Sequence, residues 1–209
     1  MEPIEILDAL GGPERRCLEL AWESWCAGSI GIGAVVVDDR TDSIVCEGRN
    51  RVGESGAPPG SLAGTALAHA EINALVGLRL GPVDHLTLYT SLEPCCLCAG
   101  AIALMRVPRV RYLAPDRLFD NLWDHMSTHP ELAVRRPEQI HLDRGPASEL
   151  ARLLPLSYLT FWNVTTLDGY STADVALART LLSDTSLLAL ATDGAPVVDA
   201  LGALMEILE

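Results

Sequence analysis

The chain contains no lysine: all 15 of its basic residues are arginine. No basic residue follows Arg179, and the formal net charge is −13. Residues 1–115 sum to −5 and residues 116–209 to −8, so neither half is a basic module. A polyanion binder draws affinity from clustered positive charge exchanged for counterions. The composition therefore speaks against a tRNA or DNA ligand, although a local patch is compatible with an acidic total. The exclusive use of arginine reads as genome bias, not mechanism. No run of 18 uncharged apolar residues occurs, which argues against a membrane span. Met1-Glu2-Pro3-Ile4-Glu5 is acidic where a secretory signal begins basic. A soluble, cytoplasmic protein is the expectation.

Cysteine is absent beyond Cys98, and all six cysteines fall in the first half. Cys95, Cys96 and Cys98 crowd into four positions, where mutual disulfides are geometrically awkward. In a reducing compartment such a cluster reads better as metal ligation. Apolar residues make up 49% of the 209. That is enough to fill one real core but short for two large domains.

Helical spacing of Cys17, Leu18, Leu20, Ala21, Trp22 and Trp25 after Gly12-Pro13 predicts a first helix ending near Gly28. Gly31 to Val37 and Ser43 to Gly48 flank an Asp/Thr-rich turn and read as a β-hairpin. Residues 50–64 hold four glycines and two prolines and read as a loop. A helix is expected from Thr65, a third strand over Leu86–Thr90, a second helix from about Cys95 to Met105, and a fourth strand over Val107–Leu113. The order α-β-β-α-β-α-β predicts an α/β protein with three α/β/α layers. Farther on, helices are expected over 116–126, 130–135, 146–154, 171–184 and 197–208, with a strand at 139–142. The expected organisation is a zinc domain over 1–155 and a helical extension over 156–209 packed on the same domain.

Two short stretches carry the chemistry. His69-Ala70-Glu71 and Pro94-Cys95-Cys96-Leu97-Cys98 both stand at expected helix starts. One imidazole and two thiolates supply three zinc ligands and leave the fourth tetrahedral position open, as catalytic zinc requires. Zinc can lower the pKa of a bound water from about 15.7 toward 7. Glu71, two residues after the histidine, is placed to shuttle protons without ligating the metal. Structural zinc sites are instead closed by four protein ligands. Cys96 is a poor fourth ligand, because adjacent residues at a helix start rarely reach one ion together. Cys17, Cys26 and Cys46 read as packed thiols.

The pattern His-x-Glu followed by Pro-Cys-x-x-Cys is the general signature of zinc nucleobase deaminases. Residues 68–75 (AHAEINAL) and 88–101 (LYTSLEPCCLCAGA) resemble the cytidine deaminase superfamily. Within it they are similar to the branch of bacterial guanine deaminases and tRNA adenosine deaminases, and Gly33-Ala34-Val35 and Gly48-Arg49-Asn50-Arg51 extend the likeness over residues 13–116. The resemblance implies a five-stranded mixed central sheet, bound zinc, a homodimer, and substrate contacts from Asn50, Ala70 and Glu93. Gly31 stands where the tRNA-editing enzymes usually have proline, and the loop over 52–64 and the acidic tail also depart from them.

Trp123, after Asp116-Arg117-Leu118-Phe119-Asp120, is a further substrate-binding candidate that could stack on a heterocycle; its alternative is a core position covering Leu118, Leu122 and Met126. Trp162 and Tyr170 are weaker aromatic candidates, and His125 and His129 read as solvated. The expectation is hydrolytic deamination of a small amino-heterocycle, a free base such as guanine or a cytosine or triazine analogue, or its nucleoside. The alternatives are tRNA adenosine deamination and a non-catalytic zinc-bearing interaction protein, which would have no need of Glu71. The tail over 184–209 is apolar enough to pack, as a cap over the pocket or at an interface.

Overall fold

The computed structural model describes residues 1–79, 81–162 and 169–208. A five-stranded sheet runs through its centre in the order β2-β1-β3-β4-β5. The strands are β1 (Gly33–Asp38), β2 (Ser43–Arg49), β3 (Leu86–Leu92), β4 (Arg109–Ala114) and β5 (Glu138–His141). β1 pairs antiparallel with β2 and β3, whereas β3–β4 and β4–β5 are parallel. Two helices precede the sheet, α1 (Pro3–Asp8) and α2 (Gly12–Cys26); α3 (Ala70–Val76) and α4 (Cys96–Met105) lie between strands. The expected three-layer α/β/α arrangement and mixed sheet are both present.

β1 is buried along its whole length because both faces are covered. Successive side chains of a strand point to opposite faces. Val35 and Val37 accordingly share a cluster with Cys17 and Leu20 of α2. Ala34 and Val36 join Ala70 and Ala74 of α3, Ala99 and Ile102 of α4, Leu88 and Val110 on the other face. This second layer seats both ligand-bearing helices.

Glycine governs how closely α3 approaches the sheet. A Cβ added at Gly48 would meet Ala74 N, Ala70 O at 2.5 Å and Asn73 C at 2.7 Å, all backbone atoms of α3. Gly48→Ala is expected to cost roughly 1–3 kcal/mol, the usual range for overpacking, and to displace the helix that carries Glu71. Denaturant titration with a parallel activity assay measures both; unchanged stability would show that α3 can move at little cost.

The loop over 50–64 is fastened rather than loose. Asn73 Nδ2 donates to Arg49 O (3.0 Å) and Leu62 O (3.2 Å), and its Oδ1 accepts from Leu62 N at 2.7 Å. Glu54 pairs with both Arg49 and Arg51.

The second half departs from expectation in three places. Instead of one helix over 116–126 there is a 3-10 turn at Arg117–Phe119 and then α5 (Leu122–Met126). Asn121 between them has a φ of 59°, a left-handed conformation that interrupts the helix. After α6 (Pro130–Ala133), α7 runs from Pro146 to Phe161, so the boundary expected at 155 falls inside a helix. Pro155 sits within it, and the helix continues around it although its nitrogen offers no hydrogen bond. Besides α8 (Thr172–Ser183) and α10 (Val197–Leu208), a helix not read from the sequence, α9 (Thr185–Asp193), is capped by Asp184 accepting from Leu187 N at 2.8 Å.

These last helices share one apolar cluster with the first two. Leu181, Leu187, Leu201 and Leu204 pack with Leu18, Trp22, Leu150 and Leu154. Trp22 Nε1 donates to Ala195 O at 2.7 Å and Trp25 Nε1 to Ser157 Oγ at 2.9 Å. Among the described residues no single helix is long and apolar enough to cross a membrane.

Candidate active site

His69 and Cys95 are the residues immediately before α3 and α4, both in extended backbone. The expected helix start at Thr65 moves to Ala70. Thr65 to Leu67 form a turn instead, held by Ala68 N donating to Thr65 O (3.0 Å) and Arg51 N to Ala68 O (2.9 Å). His69 and Cys95 thus face each other across two adjacent helix starts, with Cys98 in the first turn of α4.

His69 Nδ1 lies 3.4 Å from Cys95 Sγ and 3.5 Å from Cys98 Sγ. One ligand atom from each of the three lies within 4.8 Å of the others. Zinc–sulfur and zinc–nitrogen bonds of about 2.3 and 2.0–2.1 Å give a tetrahedral N···S edge of about 3.6 Å. The observed separations match that edge, so this donor set fits zinc by spacing as well as by chemistry. Among the described residues no fourth His, Cys or carboxylate ligand joins the cluster. Cys96 is exposed, and His125 and His129 are exposed on and beside α5.

Glu71 stands next to the cluster and is 3% exposed. Thr90 Oγ1 donates to Glu71 Oε1 at 3.2 Å, and the Cys98 thiol donates to Oε2 at 3.2 Å. Burial, and then the neighbouring Cys95, raises the Glu71 carboxyl above the usual carboxylate range. The Cys98 thiol beside it, and His69 less strongly, push Cys95 down to about 4, against the opposing effect of burial. Cys98 is instead raised, by its contact with Cys95 and by burial. The hydrogen bond with Cys95 also raises His69.

The cluster opens into a cavity of about 130 Å³. Ile30, Ile32, Leu92, Leu118, Phe119, Pro155 and Leu159 give it apolar walls, and Glu93, Asp116 and Tyr170 give it polar ones. Glu93 Oε2 accepts from Asp116 N at 3.2 Å. Burial raises the carboxyls of both Glu93 and Asp116.

Of the four expected substrate contacts, Glu93 lines this cavity. Trp123 does not: it is 3% exposed and packs in the layer with Leu88, Ile102 and Val110. The left-handed Asn121 turns α5 so that Trp123 enters the core, and Phe119, four residues earlier, takes the cavity position. The side chain of Ala70 belongs to the same apolar layer, between two residues that do line the cavity. Asn50 is wholly buried; its Oδ1 accepts from Val52 N at 3.0 Å and its Nδ2 has no hydrogen-bond partner among the described residues. Trp162 is 62% exposed and lines a separate groove with Trp25, Tyr158 and Phe161. Thr90, Asp116 and Phe119 were not singled out as site residues by sequence reasoning. Thr90 alternates with Tyr89 and Ser91 on β3, a regular strand position without a signature of its own.

The zinc-binding region of cytidine and deoxycytidylate deaminases matches residues 14–114, and the chain belongs to this family. It is 33% identical to a tRNA-specific adenosine deaminase of Rickettsia bellii over 49% of this chain and 68% of that protein. It is 39% identical to a guanine deaminase of Bacillus subtilis over 48% of this chain and 61% of the relative, so it spans less than two thirds of that protein's length. A solved guanine deaminase from Nitrosomonas europaea shares the fold, with 24% identity and a TM-score of 0.52 over 70% of this chain and 86% of that one.

Proposed function

We propose that this protein hydrolytically deaminates a small amino-substituted heterocycle, with His69, Cys95 and Cys98 holding zinc and Glu71 moving the protons. One observation carries the reading: the Glu71 carboxyl lines the same small cavity as His69 and Cys95 of the three-donor cluster, and that cavity has room for a ring system.

When bound, zinc lowers the pKa of a coordinated water toward about 7. The protein's own residues do the rest. Glu71 takes a proton from water as the water oxygen bonds to the amine-bearing carbon, and passes that proton to the ring nitrogen; it then carries the hydroxyl proton to the exocyclic amine, which leaves as ammonia while the carbon becomes a carbonyl. A buried carboxyl raised above the usual carboxylate range is suited to both directions of transfer. Thr90 holds Oε1, so the carboxylate cannot swing away. Zinc held by Cys98 would take it as the thiolate, so its S–H contact to Oε2 would be absent and that oxygen would be free for proton transfer. Leu92, Leu118, Phe119 and Leu159 exclude water from the rest of the ring.

Glu93 and Asp116 at the cavity and a net charge of −13 disfavour a phosphate-rich substrate. A second reading, adenosine deamination in tRNA, is favoured by the Rickettsia relative. An ammonia-release screen across free bases, nucleosides and an anticodon stem-loop separates the two. Turnover of a free base or nucleoside is expected; activity on the stem-loop alone would replace the small-molecule reading with the second one.

A further inference from the structure

We infer that Tyr170, held by Asp116, is a specificity-determining residue: the pair closes the cavity against an N-glycosyl substituent and restricts the substrate to the free base. The inference rests on the deaminase reading above and narrows its substrate class.

Tyr170 lies outside the family-matched residues 14–114, yet it lines the same cavity as His69, Glu71 and Cys95. Its hydroxyl donates to Asp116 Oδ1 at 3.2 Å, and the same oxygen accepts from Leu118 N at 3.0 Å. Both contacts therefore fall on Oδ1, and Oδ2 has no hydrogen bond from the described residues. The chain after Tyr170 is anchored. Ser171 caps α8 by accepting from Asp174 N at 3.0 Å, and Asp174 accepts from Arg152 of α7 at 2.7 Å. With Pro155 and Leu159 of α7, Tyr170 forms a wall fixed to the C-terminal helices.

Size and chemistry point the same way. The cavity measures about 130 Å³. Pockets for larger, drug-sized ligands begin at about 300 Å³. The space suits one heterocycle, whereas a ribose would add a second ring of comparable bulk. A free base also carries an N–H at the ring nitrogen that a nucleoside has alkylated. Asp116 is 5% exposed, and the unpaired Oδ2 of its carboxylate is an acceptor for such a donor. A ligand lacking the donor leaves a buried charged acceptor unsatisfied, the kind of mismatch that discriminates strongly.

The test compares cytosine with cytidine and guanine with guanosine. Ammonia release is measured for the zinc-loaded wild type, Tyr170→Phe and Tyr170→Ala, and binding of each compound is measured by calorimetry on zinc-loaded Glu71→Gln with and without Tyr170→Ala. The wild type is expected to prefer the free base by at least about 100-fold in kcat/KM. Tyr170→Ala should reduce that preference by about tenfold or more. Tyr170→Phe, which keeps the ring and the packing, should raise KM for the base by about tenfold with little change in kcat, the weight of one hydrogen bond to a charged acceptor. A merely structural tyrosine would lower kcat and KM discrimination together, or neither. A base-to-nucleoside ratio unmoved by Tyr170→Ala, or a wild type that takes both equally, overturns the proposal. If the wild type releases ammonia from none of the four compounds, guanine- and cytosine-type substrates are excluded, and the deaminase reading is decided separately by the wider screen above. The wall is then judged by binding: preference for the base that Tyr170→Ala erases supports it, and absence of any preference overturns it.

Discussion

Glu71→Gln is expected to retain one zinc per chain and to lose ammonia release by about 10²–10⁴-fold, the range for removing a positioned general acid–base group. Glutamine preserves the shape of the side chain and can still accept from Thr90 Oγ1, so the pocket around it should remain closed. It cannot take a proton from water or return one to the leaving amine. The metal cluster should be untouched, because none of its three ligand atoms belongs to Glu71. Zinc content by atomic absorption and ammonia release by a coupled assay read the two quantities separately. A Glu71→Gln protein with near wild-type turnover would mean that another group moves the proton.

Cys98→Ala is expected to abolish zinc binding and activity together while leaving the fold intact. Cys98 is fully buried in the first turn of α4 and is one of three candidate zinc ligands, and no described neighbour is placed to replace it. Alanine keeps the helix and fits a layer already rich in alanine, with Ala70, Ala74, Ala99 and Ala103. The diagnostic measurement is thermal: a ligand that binds only the folded state stabilises it by about 2.7 kcal/mol at 100 times its Kd. Zinc should therefore raise the Tm of the wild-type protein, and a chelator should lower it. The variant should respond to neither. Stoichiometric zinc in Cys98→Ala would show that the metal is held elsewhere.

These two predictions concern residues whose roles are readable from short spacings. His69 and Glu71 flank one position and Cys95 and Cys98 span one helical turn; the helix start at Cys95 is signalled locally, whereas the one after His69 lies five residues beyond the expected Thr65. Pro94 marks the start of α4. The three-layer sheet was readable for a similar reason, since β1 is apolar on both faces and alternation in the neighbouring segments assigns each face a helix. Local signals were weaker where two conformations compete over a few residues. Asp184 caps the start of α9, and Gly194 ends it with a φ of 65°. Both are helix boundaries of ordinary type, but the run between them is short.

The cavity wall was not readable in this way. Asp116 and Tyr170 meet across 54 positions of sequence, and Pro155 and Leu159 join them from α7. Nothing in the spacing of these residues relates them, because no regular element connects them. The choice between Trp123 and Phe119 turned on a single left-handed residue, Asn121. An uninterrupted helix would have presented a different face.

The amino-acid sequence by itself determined the family resemblance, the candidate His-x-Glu and Cys-x-x-Cys motifs and the layered α/β scaffold, because each motif and each strand is a local pattern. Tertiary structure alone decided what stands over the metal. It buried Trp123, brought Phe119 and Asp116 to the cavity, and carried Tyr170 to the Asp116 carboxylate. The Tyr170–Asp116 contact joins residues 54 positions apart, and Trp123 packs against strands and helices far from it in sequence; local spacing encodes neither.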